Sequence, residues 1–458
     1  MFELSTAASA IGGEHLGPDA TITRVTTDSR DVRRGDLFVA LKGPRFDGHA
    51  FVDQALTAGA VAALVSDTTP IAAGRAALML VPDTRLALGK LASWWRSRFS
   101  IPLVAVTGSN GKTTVKEMLA AVLRAHAGAD AVLATTGNLN NDIGMPLTLL
   151  QLQSQHRFAV IEMGMNHLGE ISYLSRLAHP TVALINNAGT AHIGEVGSVE
   201  GIARAKGEIF EGLDGQGVAV INSDDAFADY WRGLVKGKQI IDFGLDKRAA
   251  VSARYELSDG GCLITVSTPG DEFVALLNVP GVHNVKNALA ATSVAVLLRV
   301  PPQTIGLGLN AYMGIEHRMQ RHELPSGAVV IDDTYNANPE SMKAALSALG
   351  SCSGERLFVI GDMGELGDAV AEMHAEIGTF ARRSGVDRLF ALGEASSSAV
   401  QAFGERASHF DTVEALVSAV KPQIGPQTTV LIKGSRFMKM ERIVDALVGE
   451  ISTVQRNH

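Results

Sequence analysis

Two apolar patterns alternate along the chain. Short uninterrupted apolar runs read as buried strands, and longer segments with apolar residues every three or four positions read as helices. Strands are expected at Arg24–Thr27, Leu37–Leu41, Val61–Val65 and Leu78–Val81, with a helix between Phe51 and Ala58. A helix from Thr84, carrying Leu86, Leu88, Leu91, Trp94 and Trp95, leads to an apolar run at Leu103–Val106. That run breaks at Gly108, and a new helical pattern (Val115, Met118, Leu119, Val122, Leu123) starts after Lys112. Strands at Phe158–Ile161, Val182–Ile185 and Val218–Ile221 then alternate with helical segments. Such alternation implies a mostly parallel sheet covered on both faces, with ligands gathering at the carboxyl ends of its strands. Leu263–Ser267 and Glu272–Asn278 flank Pro269-Gly270 and read as an antiparallel hairpin appended to that sheet, followed by a helix from His283-Asn284 to Leu298. After Pro301-Pro302 the pattern resets, with strands at Val329–Ile331, Leu357–Ile360, Arg388–Ala391 and Thr429–Ile432.

The expected fold class is therefore α/β in three domains: a small N-terminal α/β domain at 1–83, a central phosphate-loop domain with an added antiparallel hairpin at 84–314, and a Rossmann-like α/β domain at 315–458. Composition fits this division, since 458 residues are too many for one ordinary core, and 46% hydrophobic with 19% charged residues describes a globular chain. A net charge of −8 offers no general attraction to polyanions, so anionic ligands must be held locally and nucleic acid is not an expected partner. Two cysteines, Cys262 and Cys352, give neither a disulfide framework nor metal-ligand spacing. No Lys or Arg precedes Arg24, and the longest apolar run, Ala288–Leu298, is too short to span a bilayer. The reading is of a cytoplasmic protein, expected to be a monomer, with no membrane insertion.

The candidate chemistry centres on Thr107-Gly-Ser-Asn-Gly-Lys-Thr-Thr114, between a strand and a helix. Backbone N–H groups of such a turn and of the helix N-terminus point at an anion, the Lys reaches a terminal phosphate, and the Thr hydroxyl suits Mg²⁺. The longer G-x-x-x-x-G-K-[ST] form would need Gly where Val106 stands. Glu162 ends an apolar strand, where a carboxylate needs an ion-pair partner or a cation. His192 follows the next strand and is either a hydrogen-bonding loop residue or a metal ligand. Lys206 falls within the apolar stripe of an expected helix, Ser198–Leu213, beside Ile202, Ile209, Phe210 and Leu213. It is either a snorkelling lysine or a buried neutral amine able to add CO₂ as a carbamate, itself a possible Mg²⁺ ligand. The Asn-rich stretch Thr135–Gly144 is a polar loop or a cradle for a hydroxylated or phosphorylated substrate. In the first domain Arg30, Lys42, Arg45 and His49 gather at loop ends, beyond what turn chemistry alone explains. In the third, Asp332–Pro339 and Gly361–Gly367 place acidic clusters after strands.

Taken together, Thr107–Thr114, Gly137–Asn141, Glu162-Met-Gly, Asn187–His192, Lys206-Gly-Glu, His283-Asn284, His317-Arg318 and Asp332–Pro339 resemble the Mur ligases, ATP-dependent ligases of peptidoglycan precursor synthesis. Asp332–Pro339, Gly361–Gly367 and Lys433-Gly-Ser-Arg436 look like the branch of that family that adds D-alanyl-D-alanine to UDP-N-acetylmuramoyl-tripeptide through an acyl phosphate. The resemblance implies that ATP lies at Thr107, Gly108, Ser109, Asn110, Gly111, Lys112, Thr113 and Thr114, that Thr113 and Glu162 hold one Mg²⁺, and that His192 with carbamylated Lys206 holds a second. It also implies adenine-side contacts at Asn284 and Asn287, nucleotide contacts at Asp333 and Asn336, and a phosphate contact on closure at Arg318, which with Lys112, His192 and Lys206 makes the catalytic set. Ser29, Arg30, Lys42 and His49 match the uridine-diphosphate region, and Asn138, Asn140 and Asn141 the muramoyl side. Two other readings stay open: a sister ligase adding a single diamino acid or glutamate, and a nucleotide-driven switch with no use for an inward-facing Lys206.

Overall fold

The computed structural model describes residues 1–44, 46–68, 77–191, 193–258 and 260–454. Three sheets of five or six strands follow one another along the chain, with smaller antiparallel sheets beside them. In the first, the order is Glu14–Leu16, Ala77–Leu80, Ala62–Val65, Asp36–Val39 and Arg24–Thr26, parallel except for the antiparallel Glu14–Leu16 edge. The four expected strands all form, within a residue or two of their expected ends. The opening helix Leu4–Ile11 was not anticipated; it buries Leu4, Ala7, Ala8 and Ile11 and ends at Gly12 in the left-handed region.

The central sheet has six parallel strands in the order Val132–Ala134, Phe158–Glu162, Leu103–Thr107, Val182–Ile185, Val218–Asn222 and Gln239–Phe243. Leu103–Thr107 is an inner strand; the chain first crosses to the edge at Val132–Ala134 and fills back with Phe158–Glu162, then builds outward on the other side. That reversal opens a crevice at the strand carboxyl ends, where such sheets bind ligands. Alternate residues of Leu103–Thr107 serve two cores. Leu103 and Ala105 face one shared with Trp95 and the first region, while Val104 and Val106 face the core under helix Val282–Leu297.

Two expectations change here. The hairpin at 261–277 gains a third strand, Ser252–Ser258, and stands as a separate antiparallel sheet rather than an extension of the parallel one. It packs Ile264, Val266, Phe273 and Leu277 onto the central core. The expected helix Ser198–Leu213 is α-helical only over Val199–Gly207 and tightens to a 3₁₀ turn over Glu208–Gly212. The Ser175 hydroxyl causes this: it donates to the Ile209 carbonyl and accepts from the Gly212 N–H, bonds that an uninterrupted α-helix would not leave to it.

In the third sheet the order is Gln320–Glu323, Val329–Asp333, Thr428–Lys433, Glu355–Gly361, Arg388–Leu392 and Ala407–Phe410, with only the first strand antiparallel. Its inner strands end in the Asp332–Pro339, Gly361–Gly367 and Lys433–Arg436 loops. All three loops turn toward the central sheet's crevice and line the same cleft with it.

Candidate active site

The phosphate-cradle turn is fixed by its neighbours. Gly111 has φ of 76°, and a Cβ there would lie 2.3 Å from Asn287 Oδ1 and 2.6 Å from Asn186 Nδ2, so glycine is required on two counts. The loop after Val182–Ile185 clasps the turn. Asn186 and Asn187 both donate to the Asn110 carbonyl, Asn187 Oδ1 accepts from Asn110 N–H at 2.8 Å, and the Ser109 N–H donates to the Asn187 carbonyl. Asn186 also donates to Asn287, and Asn287 to Asn284, so the two asparagines expected on the adenine side brace the turn as well. Lys112 Nζ donates to Gly108 O at 2.7 Å. Burial lowers its pKa, and the Glu162 charge partly offsets that. Residues 109–114 line a cleft of about 1450 Å³, whereas Thr107 and Gly108 lie beneath it.

The parallel register pairs Glu162 with Val106, next to the cradle. Glu162 is buried; its Oε1 accepts from Asn140 at 2.7 Å, its N–H donates to Thr135 Oγ1, and its Oε2 has no hydrogen-bond partner. An unpartnered buried carboxylate oxygen in a cleft, with the Thr113 hydroxyl on the same wall, is a donor set of the kind Mg²⁺ takes. Lys206 is 1% exposed, and no hydrogen bond or ion pair reaches it among the described residues. Burial first, and then the Lys112 charge, drive its pKa well below the ordinary lysine value. It lies below the cleft surface rather than on it. His192 lies outside the described residues. Among the described residues no three His, Cys, Asp or Glu side chains form a ready-made metal cluster.

The third region reaches into the same cleft. Arg318 donates to Thr113 Oγ1 at 3.1 Å, with its guanidinium 4.0 Å from the Tyr335 ring centre. The flanking His317 and Met319 both have positive φ, and His317 is held by Asp332. Asn338 donates to Asn110 Oδ1 at 2.8 Å, and Glu340 accepts from the Thr190 N–H and hydroxyl. Asp333 takes the Lys433 ammonium and the Met319 N–H, while Asn336 gives its carbonyl to Lys433.

The first-region residues stand apart. Ser29, Arg30, Lys42 and His49 do not line this cleft. Arg30 turns back on Asp28, and Lys42 lies 3.6 Å from Asp47. His49 is buried, with Nδ1 on Asp47 and Nε2 accepting from the Ser66 N–H, so it holds its loop in this structure. Arg45 lies outside the described residues. Asn138, Asn140 and Asn141 do line the cleft, where Asn141 also caps helix Gly144–Leu149. Sequence reasoning missed Arg85, Tyr335, Asn338, Glu340 and Phe437 as lining residues. Tyr335 and Asn338 lay within a motif already singled out, whereas Arg85 carried no local signal.

Residues 21–96 match the Mur ligase family catalytic domain, 106–295 the Mur ligase middle domain, and 317–436 the Mur ligase glutamate ligase domain. The Escherichia coli (strain K12) protein named UDP-N-acetylmuramoyl-tripeptide–D-alanyl-D-alanine ligase is 40% identical over 448 residues, 97% of this chain and 98% of that one. Among solved structures, MurF from Acinetobacter baumannii superposes with a TM-score of 0.90 at 38% identity, covering 97% of this chain and 98% of that one. MurF ligase from Thermotoga maritima in complex with ADP does so at 0.84 and 28% identity, covering 94% and 98%. This chain belongs to the Mur ligase family.

Proposed function

We propose that this chain joins D-alanyl-D-alanine to UDP-N-acetylmuramoyl-tripeptide, converting ATP to ADP and phosphate and yielding UDP-N-acetylmuramoyl-pentapeptide for peptidoglycan. The observation that carries this reading is similarity along the whole chain, at 40% identity, to the Escherichia coli ligase named for that reaction. A cleft lined by residues of the central and third regions together supports it.

ATP lies with its phosphates over residues 107–114, its adenine toward Asn284 and Asn287, and its sugar toward Asp333 and Asn336. Lys112 exchanges its bond to the Gly108 carbonyl for one to the transferring phosphoryl group, and Arg318 approaches the same charge from the third region. Thr113 and the free oxygen of Glu162 would hold Mg²⁺, which neutralises charge on the phosphate oxygens when bound. The Lys206 amine, whose charged form burial disfavours, adds CO₂ and releases a proton; the resulting carbamate, with His192, would supply the donors for a second ion.

The tripeptide's terminal carboxylate attacks the γ-phosphorus, the bond to the bridging oxygen breaks, and ADP leaves. The dipeptide amine then attacks the acyl-phosphate carbonyl. A C–N bond forms, the C–O bond to phosphate breaks, and the amine gives up a proton. The contacts of Arg318, Asn338 and Glu340 with the central region keep water from the acyl phosphate. The uridine diphosphate lies against the first region near Ser29, Arg30, Lys42 and His49, with Asn138, Asn140 and Asn141 on the muramoyl side. The enzyme works as a monomer in the cytoplasm; among the described residues no helix is long and apolar enough to cross a membrane. Phosphate release measured with the full substrate set, then with each component omitted, tests the reading. Release only with the full set is expected; release without the dipeptide, or equal release with a single diamino acid in its place, overturns it.

A further inference from the structure

Six Lys or Arg side chains line the cleft among the described residues: Arg85, Lys112, Lys286, Arg318, Lys433 and Arg436. Five have set tasks. Arg85 donates to both carboxylate oxygens of Asp142, and Lys286 sits between Asp224 and Asp246 at 3.1 and 2.8 Å. Lys433 is buried against Asp333 and the Asn336 carbonyl. Lys112 belongs to the phosphate cradle, and Arg318 lies on Tyr335 and reaches Thr113.

Arg436 differs. Its side chain is 58% exposed, and only Nη1 is engaged, with Glu441 at 3.1 Å. The remaining N–H groups of its fork have no protein partner among the described residues. Its backbone is nonetheless well fixed. The preceding Ser435 donates its N–H to the Asp362 carbonyl and its hydroxyl to the Ala337 carbonyl, and accepts from the Gly364 N–H. Beside Arg436 the Phe437 ring is 62% exposed, and it lies so near Gly364 that a Cβ there would come within 3.0 Å of it. An available planar cation next to an exposed aromatic surface, on the third region's wall, matches one molecule of the proposed reaction. The incoming dipeptide carries a carboxylate and a methyl group at the end away from its reacting amine.

Reach agrees with this match. A dipeptide spans at most about 7 Å, and its amine must meet the activated carbonyl at the cradle. Arg436 stands 6.0 Å from the centre of the Tyr335 ring, and Arg318, which touches the cradle at Thr113, stands 4.0 Å from that same centre. The two guanidiniums therefore share one ring as a neighbour, and Arg436 lies no more than about 10 Å from the guanidinium that reaches the cradle. Resting on the ligase reading, we infer that Arg436 binds the free carboxylate of D-alanyl-D-alanine through its open fork, with Phe437 as the surface for the terminal methyl group.

The test compares D-alanyl-D-alanine, its C-terminal amide and D-alanylglycine in the wild type, Arg436→Ala, Arg436→Lys and Phe437→Ala. The wild type should prefer acid over amide in kcat/KM by roughly 10- to 100-fold, the scale of a charge-assisted bond. Arg436→Ala should raise KM for the acid by a similar factor, bring acid and amide to parity, and leave KM for ATP and for UDP-N-acetylmuramoyl-tripeptide unchanged; Arg436→Lys should restore part of the preference. Phe437→Ala should lose the preference for D-alanyl-D-alanine over D-alanylglycine while keeping that for acid over amide. Full acid-over-amide preference in Arg436→Ala, or a rise confined to KM for ATP or the tripeptide substrate, overturns the assignment. A wild type that forms no amide with any of the three overturns the ligase reading instead.

Discussion

The helices Lys112–Ala127 and Val199–Gly207 each bury a lysine completely, and they treat it in opposite ways. On the first, the Lys116 ammonium donates to the Thr135 carbonyl and to Glu117, both at 2.5 Å. Thr135 in turn receives the Glu162 N–H through its hydroxyl, so Lys116 fastens the cradle helix to the strand end that presents the cleft carboxylate. On the second, Lys206 has no partner among the described residues, and the Lys112 charge makes its own charged form less favourable still. Burial alone therefore does not make a lysine reactive. A partnered buried lysine is a fastener; an unpartnered one has its charged form disfavoured, which favours the amine that chemistry can use.

Substitution should separate the two roles. Lys206→Ala is expected to lower ligation on the order of 1000-fold while thermal stability holds or rises, because no bond is lost and a buried amine is removed. Single-turnover rates and calorimetry on one preparation decide this, and full activity would remove Lys206 from the site. The next effect is on CO₂. Stripping it from the buffer should lower wild-type activity, bicarbonate should restore it, and a short-chain carboxylic acid should partly rescue Lys206→Ala. Indifference to both additions would break the carbamate half of the contrast. Lys116→Met should act mainly on stability, losing about 1–3 kcal/mol as the Thr135 carbonyl and Glu117 lose their donor, with a smaller fall in kcat; a shift in denaturant midpoint measures it. Smallest is Glu117→Gln. Because Glu117 is partly exposed, the change should cost no more than about 1 kcal/mol, and a larger loss would mean that the ion pair, not the Thr135 bond, holds Lys116.

The same contrast between local and distant partners explains what the sequence made legible. The cradle was readable because its strand, glycine turn, Lys-Thr and helix are contiguous, and its conformation is set within a few residues. Glu162 was expected at the cleft because alternating strands and helices bring strand ends to one edge, and it lines the cleft together with Asn138, Asn140 and Asn141. The polar residues of the first region also have local partners. Asp28 and Asp47 stand two residues before Arg30 and His49, and these pairs close their loops on themselves. The Ser252–Ser258 strand escaped notice because an exposed edge strand carries no apolar run. Tyr335, Asn338 and Glu340 needed the third region seated against the central one, a contact between sheets that no periodicity encodes. The break at Glu208 depended on Ser175, a residue on another helix.

The formation of an acyl phosphate on the tripeptide is tested most directly by isotope transfer. UDP-N-acetylmuramoyl-tripeptide labelled with ¹⁸O in its terminal carboxylate is ligated to D-alanyl-D-alanine with ATP and Mg²⁺, and the released phosphate is examined by mass spectrometry. Labelled oxygen in the phosphate, one atom for each amide formed from fully labelled carboxylate, is the predicted result. Amide formation with unlabelled phosphate would contradict it.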